Sequence, residues 1–169
     1  KDVIPATQII VPGVLGYNPD LKVWPHDPTK AKQLLDEARK DGVPVDKEIL
    51  VLGRLAWYPG GEELMEAVMN MYKAVGLNVK LKFYERQILD AYRRQPYVRN
   101  VGPYVVQESH DNNNGDAVFT AFGKYHCKGI NSTMCDKQVD DLIEKAQVAL
   151  GEERRNLWRA AFKRIHEDI

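Results

Sequence analysis

Three consecutive stretches constrain the fold of this chain more than any others. Lys47 to Leu52, KEILVL, is a short apolar run that reads as a strand. Glu62 to Val75 reads as a helix, with Leu64, Val68, Met71, Tyr72 and Val75 as its apolar face and Gly76 as its stop. The acidic pair Glu62 and Glu63 suits the positive end of that helix. Leu77 to Tyr84, LNVKLKFY, alternates strictly, with Leu77, Val79, Leu81 and Phe83 inward and lysines outward. That is the pattern of a half-buried strand. Strand, helix and strand with short connections make a βαβ unit with a right-handed crossover. The class is therefore α/β, a mixed sheet flanked by helices.

The rest of the chain fits around this unit. Residues 1–26 are punctuated by Pro5, Pro12, Gly13, Gly16, Pro19 and Pro25 and read as an irregular covering segment. Asp27 caps a helix with Pro28 at its first position and Ala31, Leu34, Leu35 and Ala38 on one face. Arg86 to Arg94 is a short helix ended by Pro96, with Ile88, Leu89 and Tyr92 apolar. Tyr104-Val105-Val106 reads as a buried strand, and a short helix follows from Asp116 to Phe122. Asp136 caps a further helix carrying Val139, Leu142, Ile143 and Ala146, and a last one from Glu152 presents Leu157, Trp158, Ala161, Phe162 and Ile165. The expected organisation is one lobe over 1–169, with an α/β core at 27–122 and a cysteine loop and helices at 123–169. Both ends read as cut from something longer.

Composition narrows the function. Lys plus Arg and Asp plus Glu number 24 each, so no basic excess points to nucleic acid or an anionic membrane. No apolar run approaches the ~20 residues of a membrane helix, so no membrane insertion is expected of this segment. The chain has no Gly-x-Ser-x-Gly motif and no phosphate loop. His26, His110, His126 and His166 form no triad or metal spacing. Asp140 and Asp141 read as helix-dipole partners. The expectation is no catalytic residue, no cofactor and no resident metal. Cys127 and Cys135 lie close in sequence, and a disulfide in an oxidising compartment or two unrelated thiols both fit. A zinc site fits less well, because His126 could ligate but the spacing matches no common pattern.

Two segments following apolar strands stand out. Gly53 to Gly61 is read as a loop carrying Arg54, Trp57 and Tyr58. Glu108 to Asp116 is a polar cluster carrying His110, Asp111, Asn113 and Asp116. If the strands are parallel neighbours, both segments emerge at one edge, where α/β sheets bind ligands. Arg offers a planar fork for a carboxylate, aromatics offer stacking area, and Asn offers donors and acceptors. The alternative is a pair of solvated turns. The site suits a small polar solute, bound rather than transformed.

Several motifs in order then resemble one family. Gly16-Tyr17-Asn18-Pro19-Asp20-Leu21, with Asp27-Pro28 before Lys30-Ala31-Lys32-Gln33-Leu34-Leu35, is similar to a segment of the peptide- and nickel-type (family 5) solute-binding proteins of ABC transporters. Val75-Gly76-Leu77-Asn78-Val79, Asn114-Gly115-Asp116 and Val139-Asp140-Asp141-Leu142-Ile143 match further pieces. The resemblance implies part of the C-terminal half of a two-lobed periplasmic binding protein, a ligand between the lobes, and permease subunits as partners. It implies a periplasmic or extracellular location, with a lipid anchor through the absent N-terminal part as one form. Its cargo would be a peptide or similar solute; a nickel chelate, a glycan or an opine-like acid is the rival, and a non-transport interaction module the rival outside the class. In dipeptide binders an Asp pairs with the peptide's amino terminus. The matching position here is Asn113, with His110 at the family's Trp, so Asp111 or Asp116 would have to substitute. Arg54 lies near the carboxylate-binding Arg, and Cys127 and Cys135 sit where some members carry a disulfide.

Overall fold

The computed structural model describes residues 5–98, 101–110 and 115–169. Its elements are α1 (Pro28–Lys40), β1 (Ile49–Arg54), α2 (Gly61–Ala74), β2 (Val79–Tyr84), α3 (Arg86–Arg93), β3 (Tyr104–Val106), α4 (Val118–Tyr125), α5 (Lys137–Val148) and α6 (Gly151–Asp168). They fall into two compact units. Unit 2 is Pro25–Glu108; unit 1 joins the residues up to Trp24 with Ser109–Ile169. These boundaries differ from the 26/27 and 122/123 divisions expected from the sequence.

Unit 2 is built on a three-stranded sheet of order β2-β1-β3. β1 pairs in parallel with both neighbours, Ile49 to Arg54 against Val79 to Tyr84 and Leu50 to Leu52 against Tyr104 to Val106. The expected mixed sheet is thus wholly parallel over its described strands. One face is packed by α2, through Met65 and Met69 against Val51 and Val79, with Tyr72, Leu81 and Phe83 around them. The stripe Gly61-Met65-Met69-Tyr72 does this packing, whereas Leu64 and Met71 of the expected face are 51% and 58% exposed. Both stripes are apolar at helical spacing, and the fit to the sheet selects the methionines. α3 contributes fully buried Leu89, while Ile88 is exposed. Among the described strands β3 lies at an edge of the sheet rather than in its interior, and Val105 is 49% exposed. α1 begins as expected, with Asp27 accepting the Lys30 N–H at 2.8 Å, yet it has no buried residue.

Unit 1 packs α4, α5 and α6 around Trp158, Phe162, Val139, Ile143 and Ala146. The leading segment is irregular, as its Pro and Gly content demands, but it does more than cover. Ile10 and Leu21 are core residues. Buried Asn18 donates to the Arg159 carbonyl and accepts from the Asp20 N–H, and Arg159 Nε donates to the Tyr17 carbonyl. Leu15 bridges Asp116 through hydrogen bonds of Leu15 N–H to Gly115 O and Ala117 N–H to Leu15 O. His166 Nε2 donates to the Lys22 carbonyl. Among the described residues no helix is long and apolar enough to cross a membrane.

Candidate functional site

The carboxyl ends of β1, β2 and β3 share one edge of the sheet because the strands are parallel. β1 runs two residues further than the sequence indicates, so Gly53 and Arg54 are strand and not loop. Gly53 faces Phe83 across the ladder, and a Cβ built on it would lie 2.5 Å from Phe83 Cε1, so a larger residue there would force the ring to move. Leu55 N–H then donates to Tyr84 O at 3.0 Å, carrying the ladder one step past Arg54.

Gln107, just beyond β3, organises this edge. Its N–H donates to Leu52 O at 2.8 Å. Its side-chain Oε1 accepts the Arg54 N–H at 3.0 Å, and its Nε2 donates to the Tyr58 hydroxyl at 3.1 Å. One amide thus ties β3, β1 and the following loop together. The loop turns at Ala56, whose φ is +48°, and Ala56 N–H donates to Glu62 Oε1 in the first turn of α2. The Arg54 guanidinium sits over the Trp57 ring, 5.0 Å from its centroid, and the Trp57 and Tyr58 rings are 6.0 Å apart. Among the described residues no carboxylate pairs with that guanidinium. Arg93 and Glu108 form their own pair at 3.1 Å. A half-buried, stacked guanidinium without an acidic partner is preorganised for an anion such as a carboxylate.

The other candidates lie in unit 1 or outside the described residues. His110 Nε2 is hydrogen-bonded to the buried Thr120 hydroxyl, and its ring stacks on Phe119. Asp111 and Asn113 fall outside the described residues. Asp116 is committed internally: Arg154 Nε and Nη2 donate to its two oxygens at 2.8 and 3.0 Å, and it accepts the Val118 N–H at 2.8 Å. It clamps α6 to the start of α4. Sequence reading missed Gln107 as a site residue. Its available signal was its place as the first polar residue after an apolar strand.

A cavity of about 510 Å³ lies in unit 2 at the opposite, N-terminal ends of the strands. Its lining is almost wholly apolar, Leu35, Val43, Val45, Ile49 and Leu77 among it, with Lys47 its one charged residue. It lacks the convergent polar groups that orient a polar solute.

Residues 1–131 match the model of the bacterial extracellular solute-binding proteins, family 5 Middle. The chain belongs to this family. This family 5 chain is also similar to two curated proteins. It is 26% identical over 98% of its length to Di/tripeptide-binding protein 2 of Pseudomonas aeruginosa, and 26% identical over 97% to the Dipeptide-binding protein of Escherichia coli. In both cases it spans 31% of the relative, about a third. HbpA2 from Haemophilus parasuis shares the fold, with a TM-score of 0.77 and 23% identity over 95% of this chain and 32% of that one. This family 5 chain thus shares the fold of about a third of that protein.

Proposed function

We propose that this chain is part of the solute-capturing component of an ABC importer, acting in the periplasm or at the cell exterior. It holds a peptide or similar small polar solute for delivery to permease subunits, and it transforms nothing. The observation that carries this reading is Arg54, fixed at the carboxyl edge of a parallel sheet by Gln107 and stacked on Trp57. Its guanidinium takes the solute's carboxylate, and Trp57 and Tyr58 supply the adjoining contact area. The likeness to two curated peptide binders supports a peptide as cargo. With Asp116 committed to Arg154, Asp111 is the acidic candidate left for an ammonium group. His110 and Asn113 are proposed as polar contacts on the same sequence grounds.

Calorimetry of the full-length protein against di- and tripeptides and their C-terminal amides tests this. A charge-assisted hydrogen bond is worth about 1.5–3 kcal/mol. Arg54→Ala should therefore weaken peptide binding by about ten- to hundred-fold. The amides should bind the parent weakly and lose little more in the variant. An Arg54→Ala protein with parental affinity for the free acids would dismiss the role.

A further inference from the structure

The Cys127–Cys135 disulfide lies between α4 and α5, in unit 1. A carboxylate oxygen of Asp140 and both Sγ atoms lie within 4.8 Å of one another. We propose that this loop is a latent site for a thiophilic divalent cation of the zinc class, formed when the disulfide is reduced. Zinc bonds of about 2.3 Å to sulfur and about 2.0–2.2 Å to oxygen put tetrahedral ligands about 3.5–3.8 Å apart. Once the bond is reduced, the two Sγ atoms must separate to that spacing by turning about their Cα–Cβ bonds, with the carboxylate oxygen already within 4.8 Å of both.

The loop does not depend on the disulfide alone for its shape. Gly129 N–H donates to His126 O, Asn131 N–H to Gly123 O and Ser132 N–H to Gly129 O, at 2.8–3.1 Å. The buried Ser132 hydroxyl donates to Met134 O. Asp140 Oδ1 accepts the Cys127 N–H at 2.9 Å, holding the carboxylate beside that residue. Cys135 immediately precedes the α5 N-cap. It is also exposed, so reductant and cation can both reach it.

His126 is not a ligand in this arrangement. Its Nδ1 accepts the Lys128 N–H at 3.0 Å, so its single proton sits on Nε2, which faces Glu144 Oε1 at 3.1 Å. The site therefore has two sulfur ligands, one oxygen ligand and a fourth position for water. The chemistry balances with a dithiol as reductant. Its two thiols become a disulfide, two electrons and two protons pass to Cys127 and Cys135, and the cation then displaces both protons to solvent.

Cobalt(II) is the probe, added to full-length protein that has been reduced with a dithiol and freed of it by anaerobic gel filtration. The expected result is one cobalt per chain with thiolate-to-metal charge-transfer absorption and tetrahedral d–d bands. Oxidised protein and Cys127→Ser should show neither. Asp140→Asn keeps an acceptor for the Cys127 N–H and should weaken cobalt binding about ten-fold or more. In parallel, stoichiometric zinc should protect both thiols of the parent from alkylation and those of Asp140→Asn much less. Absence of the charge-transfer band, equal binding by Asp140→Asn, or loss of tertiary circular dichroism on reduction that cobalt does not restore would each overturn the site.

Discussion

Gly13 and Gly16 lie three residues apart with φ of +93° and +102°, and their surroundings differ completely. A Cβ on Gly13 would meet nothing within 4 Å; one on Gly16 would lie 2.6 Å from Trp158 Cβ. Gly13→Ala should cost only the left-handed backbone penalty, about 1–2 kcal/mol. Gly16→Ala adds overpacking against a fully buried indole, for a total of about 2–5 kcal/mol. Urea midpoints of the two variants check this, and equal midpoints would mean that Trp158 moves aside freely. The Gly16-to-Leu21 motif was legible in the sequence as a family signature, but its physical role was not. Asn18 and Gly16 matter because of Arg159 and Trp158, partners that no local pattern can name. Arg54 is a similar case. Its residue type suggested a carboxylate, whereas its place at the end of β1 follows from a pairing with β2 that runs to Arg54 and Tyr84.

Among the elements, α5 shows a cap that does two jobs. Asp136 accepts the Val139 N–H at 2.9 Å and also receives Arg164 Nε and Nη2 at 2.9 and 2.7 Å. The Arg164 hydrogen bonds, aided by the backbone N–H, hold its carboxyl well below the usual carboxylate range. A carboxyl depressed in the fold contributes its full stability above the unfolded value of about 3.9 and loses it as pH falls further. Asp136→Asn keeps the cap but loses the ion pair. The stability gap between parent and variant should stay constant between about pH 6 and 8 and narrow progressively below about pH 4. Urea midpoints across that range test it; a gap that widens in acid would reject the ion pair as its origin. α1 is the other extreme. With no buried side chain, its amides should exchange with deuterium much faster than those of α5 or α6. Protection equal to that of α6 would mean that its surface is covered in solution. Helix starts such as Asp27 and Asp136 were readable because caps are local chemistry. The face of α2 was not, because two apolar stripes compete on one helix and the sheet decides between them.

For the whole molecule, the α/β class and the parallel pairing of β1 and β2 followed from hydrophobic period alone. The division into units did not, because residues 1–24 carry no period to reveal their core partners. The chain spans about a third of its curated relatives, so its binding in isolation is a separate question. Small-molecule sites bury about 70–90% of a ligand, and a partial site leaves its polar contacts competing with water. This segment alone should fold yet bind the full-length protein's solute at least about a hundred-fold more weakly, a loss of about 2.8 kcal/mol. Calorimetry of both forms against one solute decides it, and equal affinity would mean that the segment holds the whole site. The discontinuity of unit 1 also sets a schedule. A ribosome or a secretion channel delivers the chain from its N-terminus, so Ile10, Gly16 and Leu21 reach water long before their partners exist, Asn18 and the Arg159 carbonyl being 141 residues apart. Residues 25–108 carry their own sheet and can close as soon as they are out. The first stretch of unit 1 therefore waits for the second, and in that interval its apolar residues are open to a holding chaperone.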